Sequence, residues 1–352
     1  MLMSALIDQW SAKLRKRVEL GKMKPASLSA FTSYANNWIS PRLGELELET
    51  IKNGRVKEFA EALVAAGKAP KTVREVLMTL KSILLSHRNE DGEALLDLSK
   101  WNLSFITEDI PSIGKQKQPT ISREALNAIL RNRSIKVRDR VLIALDAATG
   151  LRIGELLALK IGGTGDSEED TAWDRENGVI LVRKSVYRGQ LQLPKTLAAI
   201  RAVDLSTPVQ NMLIEFAKGR QPGEFIFATK KGKPLDPSHV QRFITTKNGV
   251  PGAHALRRYR VTWLETQGCP RGLEAAWIGH SNGDITARYD KTAEDQEFRR
   301  NQVERIGTGL ELSCLKDDAG KASTRVKHSL VKRNQPLIIA TEGRRISSRL
   351  FS

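Results

Sequence analysis

Residues 111–120, PSIGKQKQPT, combine proline, glycine and lysine with no periodic apolar position, so a packed core cannot run through them. Whatever the chain buries must be buried separately on either side. This predicts a first domain over residues 1–110, a linker over 111–120 and a second domain from residue 121. With 352 residues in all, each side has chain enough for a core of its own.

The first side reads as helices. Ala5, Leu6, Trp10 and Leu14 trace one apolar stripe, and Leu28, Phe31, Tyr34, Ala35 and Trp38 a second that Pro41 is expected to stop. Val56, Phe59, Ala60, Leu63 and Val64 form a third, ended by Gly67. Thr72, Val73, Val76, Leu77, Leu80, Ile83 and Leu84 form a fourth. Four such stripes make a small bundle. Lys71, Arg74 and Lys81 sit off the fourth stripe, where they are candidates for phosphate contacts or else an ordinary solvated face.

The net charge of +17 is spread unevenly: residues 1–114 carry +2, residues 115–312 carry +9 and residues 313–352 carry +6. An excess of this size suits a polyanionic partner, bound less tightly as salt rises. Charge alone also fits a merely basic protein. Two cysteines, Cys269 and Cys314, cannot make a disulfide framework, and no spacing resembles a metal site. No apolar run approaches the roughly 20 residues of a membrane span, and the start, MLMSALIDQW, is not a secretory leader. A cytoplasmic, nucleoid-associated protein without a cofactor is expected.

Beyond the linker, Ser122 can cap a helix to Leu130, and Val137–Ala148 reads as a buried one. Residues 162–178, GGTGDSEEDTAWDRENG, are acidic and glycine-rich and read as a solvated loop. Val179–Val182, Val186–Leu193 and Ile200–Leu205 have strand composition, and Val209–Ala217 is again helical. Lys230, Lys231 and Lys233 follow in a loop, and His239 reads as structural. The whole is mainly α with a small antiparallel β-sheet.

The chemistry gathers in four places. His254 and Arg257 are three apart in a helical run from Ala253 to Thr266, so both side chains share a face and can reach one phosphate. Trp277-Ile278-Gly279-His280 reads as a helix ended by glycine with a histidine just past the cap. Tyr289 follows nine residues later. Upstream, Ala148-Thr149-Gly150-Leu151-Arg152-Ile153-Gly154-Glu155-Leu156 is a turn that delivers Arg152 onto a helix start, where backbone N–H groups also favour an anion. Singly, each piece has a plain alternative: a solvated basic helix, or a core tyrosine with its hydroxyl wet.

Together, and in this order over roughly residues 118–300, they resemble the tyrosine recombinases of the phage integrase family. The resemblance implies a catalytic domain over 121–310, a core-binding helical domain before it, and a C-shaped clamp on DNA. It implies the catalytic set Arg152, Lys195, His254, Arg257, His280 and the nucleophile Tyr289, with Glu155 orienting the arginines. Lys195 is placed by Pro194-Lys195-Thr196 between two strands, where the family has a hairpin lysine; Lys184, and Arg201 serving elsewhere, are the open alternatives. The acidic stretch at 162–178 departs from the family pattern, which is usually shorter there. The family's additional N-terminal domain for arm sites is not expected, because the bundle starts almost at Met1. Residues 311–352 are expected to be a basic tail, either a DNA-contacting one or a small extra element.

The reaction implied is transesterification. The sequence has neither a paired-carboxylate site nor a GxxxxGK[ST] run, and cations can stabilise the transition state in place of a metal. Tyr289 attacks the phosphodiester to give a 3′-phosphotyrosine, His254 accepts its proton, and Lys195 protonates the leaving 5′-oxygen. The partners implied are double-stranded DNA with a specific core site, three further copies of the chain in a homotetramer, and an accessory DNA-bending or directionality protein. Integration or excision of a phage or mobile element is the expected task. A type IB topoisomerase and a non-catalytic DNA-binding regulator of the same fold are the alternatives.

Overall fold

The computed structural model describes residues 1–111, 118–162, 169–194, 199–279 and 293–315. It forms two compact units, Met1–Lys117 and Gln118–Ser352.

The first unit is helical. α1 (Met3–Glu19), α2 (Pro25–Tyr34), α3 (Ser40–Leu43), α4 (Asn53–Ala65), α5 (Pro70–Leu85) and α6 (Leu103–Ile106) enclose a core of Leu6, Trp10, Ile39, Phe59, Leu63, Leu77, Leu80 and Leu84. Apart from Ile39, these belong to the first, third and fourth apolar stripes; the second stripe buries Ala35 and packs Leu28, Phe31, Tyr34 and Trp38 against the core's edge, while Ala5 of the first is exposed. Pro41 does not end its helix as expected. A π-helical segment, Ala35–Ile39, joins α2 to α3 and carries the chain through the proline to Leu43. A π turn widens the backbone ladder, which gives room for a ring that an α-turn excludes.

The second unit is built around α8 (Val137–Thr149), most of whose residues are buried. α7 (Arg123–Arg131) precedes it, capped by the Ser122 hydroxyl, which accepts from the Ala125 N–H at 3.1 Å. After α9 (Ile153–Leu157) a four-stranded sheet runs in the order β1 (Lys160–Ile161), β2 (Ala172–Asp174), β3 (Val179–Val182), β6 (Arg201–Asp204). The β1/β2 pair is parallel and the other two are antiparallel. β4 (Ser185–Tyr187) and β5 (Gln190–Gln192) form a separate hairpin. α10 (Thr207–Phe216), α11 (Pro237–Asn248), α12 (Ala253–Thr266), α13 (Arg271–Ile278) and α14 (Gln296–Ile306) complete the unit. The fold is mainly α with a small, largely antiparallel sheet.

Two sequence expectations are corrected here. Residues 162–178 are not simply a solvated loop. Ala172–Asp174 is a central strand of the sheet, Trp173 and Thr171 are fully buried, and Asp170 pairs with Lys160 and Lys184. Acidic neighbours hid a short strand whose one large apolar residue points into the core. Residues 186–193 are not one strand either. The chain reverses at Arg188 and Gly189, both at positive φ, the backbone of a two-residue hairpin turn. At the far end, Leu312 and Leu315 are buried in the unit's core and Arg131 pairs with Glu311, while residues 316–352 lie outside the described residues.

Candidate active site

The turn between α8 and α9 depends on Gly150. Its φ is +66°, a left-handed backbone that favours glycine, and a Cβ there would press on Ile278 Cδ1 at 2.8 Å and on the Arg260 stem at 3.2 Å. The turn leaves Arg152 as the residue that starts α9. Glu155 accepts from the Arg152 backbone N–H at 3.0 Å and from its Nη1–H at 2.9 Å, fixing the guanidinium against the helix start.

α12 supplies the other two expected residues. His254 is exposed, and Arg257, one turn on, is buried to 7 % exposure. Arg257 donates from Nη1 to the Gly150 carbonyl and from Nη2 to the Ile278 carbonyl, each at 2.6 Å. The same residue therefore grips the Arg152 turn and the end of α13.

Three arginines converge on that end. Arg201 Nε donates to the Trp277 carbonyl at 2.8 Å, Arg257 to Ile278, and Arg152 Nη2 to Gly279 at 3.3 Å. The last carbonyls of a helix lack intrahelical donors and carry partial negative charge. Guanidinium groups from α9, α12 and β6 satisfy three in a row. Gly279, at φ +72°, lies so close to Arg201 that a Cβ would stand 3.1 Å from its guanidinium.

One carboxylate balances this cluster. Glu155, 3 % exposed, pairs with Arg201 at 2.8 Å as well as with Arg152. Burial opposes its ionisation, but the hydrogen bond and charge of Arg201, with those of Arg152, outweigh burial and hold the carboxyl below its ordinary range. Burial and the charge of Arg152 pull Arg257 down to about 10, which leaves it charged at neutral pH. Partial desolvation of the ring, then the charges of Arg258, Arg257 and Arg152, lower His254 below its ordinary value. A neutral imidazole beside a surplus of guanidinium charge can accept a proton, and the surplus itself is a seat for an anion.

Arg152, Glu155, His254 and Arg257 are thus brought together as the sequence predicts. Lys195, His280 and Tyr289 lie outside the described residues. The alternatives to Lys195 are engaged elsewhere: Lys184 pairs with Asp170 at 3.0 Å, and Arg201 spends its donors on Trp277, Ala199 and Glu155. In the first unit, Lys71 and Arg74 are exposed on α5, and Lys81 Nζ lies 5.7 Å from the centre of the Trp101 ring.

Residues 122–296 match the phage integrase family. The chain belongs to this family, the tyrosine recombinases. Among similar family proteins, a XerC-like tyrosine recombinase from Caldanaerobacter subterraneus subsp. tengcongensis is 27 % identical over 75 % of this chain and 73 % of its own length. The integrase of Staphylococcus phage L54a is 24 % identical over 81 % of this chain and 86 % of its own. The fold resembles that of the Tn1549 transposon integrase in complex with transposon right end DNA, with a TM-score of 0.61, 19 % identity and coverage of 87 % of this chain and 99 % of that one. It also resembles a lambda integrase tetramer bound to a Holliday junction, with a TM-score of 0.59, 17 % identity and coverage of 81 % and 79 %.

Sequence reasoning missed two site residues in this phage integrase family chain. Arg201, in the sequence an alternative cation to Lys195, is the strut that holds Glu155 and α13. The other is Asp146, fully buried on α8 with no hydrogen bond to either carboxylate oxygen among the described residues. Burial pushes its pKa well above the ordinary value, Arg257 opposing and Glu155 adding to the shift. An aspartate inside the otherwise apolar VLIALDAA run was the available signal.

Proposed function

We propose that the protein is a site-specific recombinase that breaks and rejoins DNA through a 3′-phosphotyrosine at Tyr289. The observation that carries this reading is the convergence of Arg152, Arg201 and Arg257 on the last carbonyls of α13, directly before His280 in the sequence. Arg152 and Arg257 are the forks for the scissile phosphate's oxygens. His254 takes the tyrosine proton, His280 donates a hydrogen bond to the phosphate, and Lys195 protonates the leaving 5′-oxygen. Because the cleaved bond's energy is kept in the tyrosyl ester, a 5′-hydroxyl from a partner strand reseals it without ATP.

The first unit is the core-binding domain in this reading, with Lys71, Arg74 and Lys81 on DNA phosphates. The working form is a homotetramer on two duplexes, in line with the lambda integrase tetramer on a Holliday junction. A topoisomerase-like monomer is disfavoured by the helical unit in front of the Arg152 domain and by the similarity to integrases over most of the chain.

The test begins by selecting a binding site from a random-duplex pool and building a nicked version of it. Incubation in EDTA should then trap protein on DNA through Tyr289. A trapped complex formed equally by Tyr289→Phe refutes the nucleophile, and strand relaxation without joint molecules favours the topoisomerase.

A further inference from the structure

Asp204, the last residue of β6, is 4 % exposed, and its Oδ2 accepts two hydrogen bonds from distant parts of the chain. Trp277 Nε1–H donates at 2.7 Å and Arg299 Nε–H at 2.9 Å. Arg299 also donates from Nη1 to the carbonyl of Ala293 at 2.9 Å. Trp277 is in the last turn of α13, Ala293 precedes α14 and Arg299 is in its first turn. Between Gly279 and Ala293 the sequence runs through the thirteen residues 280–292, which include His280 and Tyr289. One carboxylate on the edge strand thus binds the entrance to that stretch through an indole and its exit through a guanidinium.

Both ends have further moorings. At the entrance are the three arginine contacts to residues 277–279. Beyond the exit, Glu304 accepts from the Thr207 N–H and hydroxyl at 2.6 Å, and Trp263 Nε1 donates to the Ile306 carbonyl at 3.1 Å. The far end of α14 therefore stays docked without Arg299. Near the start of α14, Arg300 also donates to Asn177 at 3.1 Å and Phe298 packs on the core; what Arg299 adds, with Asp204, is a direct tie between the Ala293 carbonyl and Trp277.

We infer that Asp204 and Arg299 are positioning residues for strand cleavage, holding the two ends of the tyrosine-bearing stretch together at the edge of the arginine cluster. This rests on Tyr289 as the nucleophile. A reactive group tethered at both ends searches a small volume beside its target, and misplacement by about 1 Å can cost roughly a hundredfold in rate. Neither residue touches the phosphate in this account, so neither should affect DNA affinity.

The experiment uses the full chain and the nicked duplex described above, comparing wild type with Arg299→Met, Arg299→Lys and Asp204→Asn. DNA affinity, melting temperature and the first-order rate of tyrosyl ester formation at saturating protein are measured for each. Arg299→Met should slow ester formation roughly ten- to a hundredfold with affinity within about twofold of wild type. Arg299→Lys, which keeps the charge facing Asp204 but has no second nitrogen for the Ala293 carbonyl, should recover part of the loss. Asp204→Asn keeps an acceptor for Trp277 and should resemble Arg299→Met; it decides the matter if the latter does not fold. Unchanged ester formation, or a loss that only parallels lost affinity and melting temperature, overturns the inference. Tyr289→Phe forming the ester overturns instead the reading on which it rests.

Discussion

Arg257 Nη1 donates to the carbonyl of Gly150 at 2.6 Å, so the helix that carries His254 is tied to the turn that presents Arg152. The contact joins residues more than a hundred positions apart and makes the cation cluster one object. Replacement by lysine keeps the charge but not the fork, since one ammonium cannot bridge Gly150 and Ile278 and still face a phosphate. Arg257→Lys should slow tyrosyl ester formation by roughly 10²- to 10³-fold and destabilise the fold by about 1–3 kcal/mol through the orphaned carbonyls. Single-turnover cleavage and denaturant melts check the two effects separately.

Glu155→Gln should show what the single counter-charge does. Its folded pKa is depressed, so the stability it contributes is present above its unfolded value and is lost as pH falls through the folded one. Wild type should be more stable than the variant by about 3 kcal/mol at pH 7, and the gap should close in acid. A gap that widens as pH falls refutes the assignment.

Asp146→Asn should behave in the opposite sense. The folded pKa of Asp146 is raised, so its burial is least costly below the unfolded value, and stability is lost as pH rises toward the folded one. The melting temperature of Asp146→Asn relative to wild type should therefore increase from pH 3.5 to pH 7.5. A difference independent of pH would mean that the charge of Arg257 offsets burial and leaves the folded pKa of Asp146 at its unfolded value.

For His254, the depressed value in the free protein sets where cleavage fails in acid. A base must be neutral, so kcat/KM should fall as pH drops through a value below 6.5. A bound phosphate's negative charge favours the imidazolium, so the same limb measured on kcat should lie at higher pH. His254→Gln should lose the limb altogether along with most of the rate, whereas an unchanged profile in that variant would assign the limb to another group.

Much of this was legible in the residues, and the reasons differ between elements. The stripes of the first unit could be read because each helix is long enough for a 3.6-residue period to repeat. The Gly150 turn could be read because few residues other than glycine take that backbone. Trp173 could not, since a three-residue strand has no period and its acidic surroundings look solvated. Nor could the hairpin at Arg188, where a non-glycine residue adopts positive φ. The roles of Arg201 and Asp204 depend on contacts with Trp277 and Arg299 across many dozens of residues, and no local spacing encodes those.

The three guanidinium contacts at residues 277–279 also limit how this region can vary. The carbonyls of Trp277 and Ile278 are offered about 100° apart around the helix axis, and the left-handed backbone of Gly279 turns its carbonyl off that spiral. One residue inserted or deleted within α13 would turn all three away from their arginines at once, whereas a substitution on its outer face would disturb none. Descendants of this gene can therefore change the lettering of α13 freely on one side but cannot change its length.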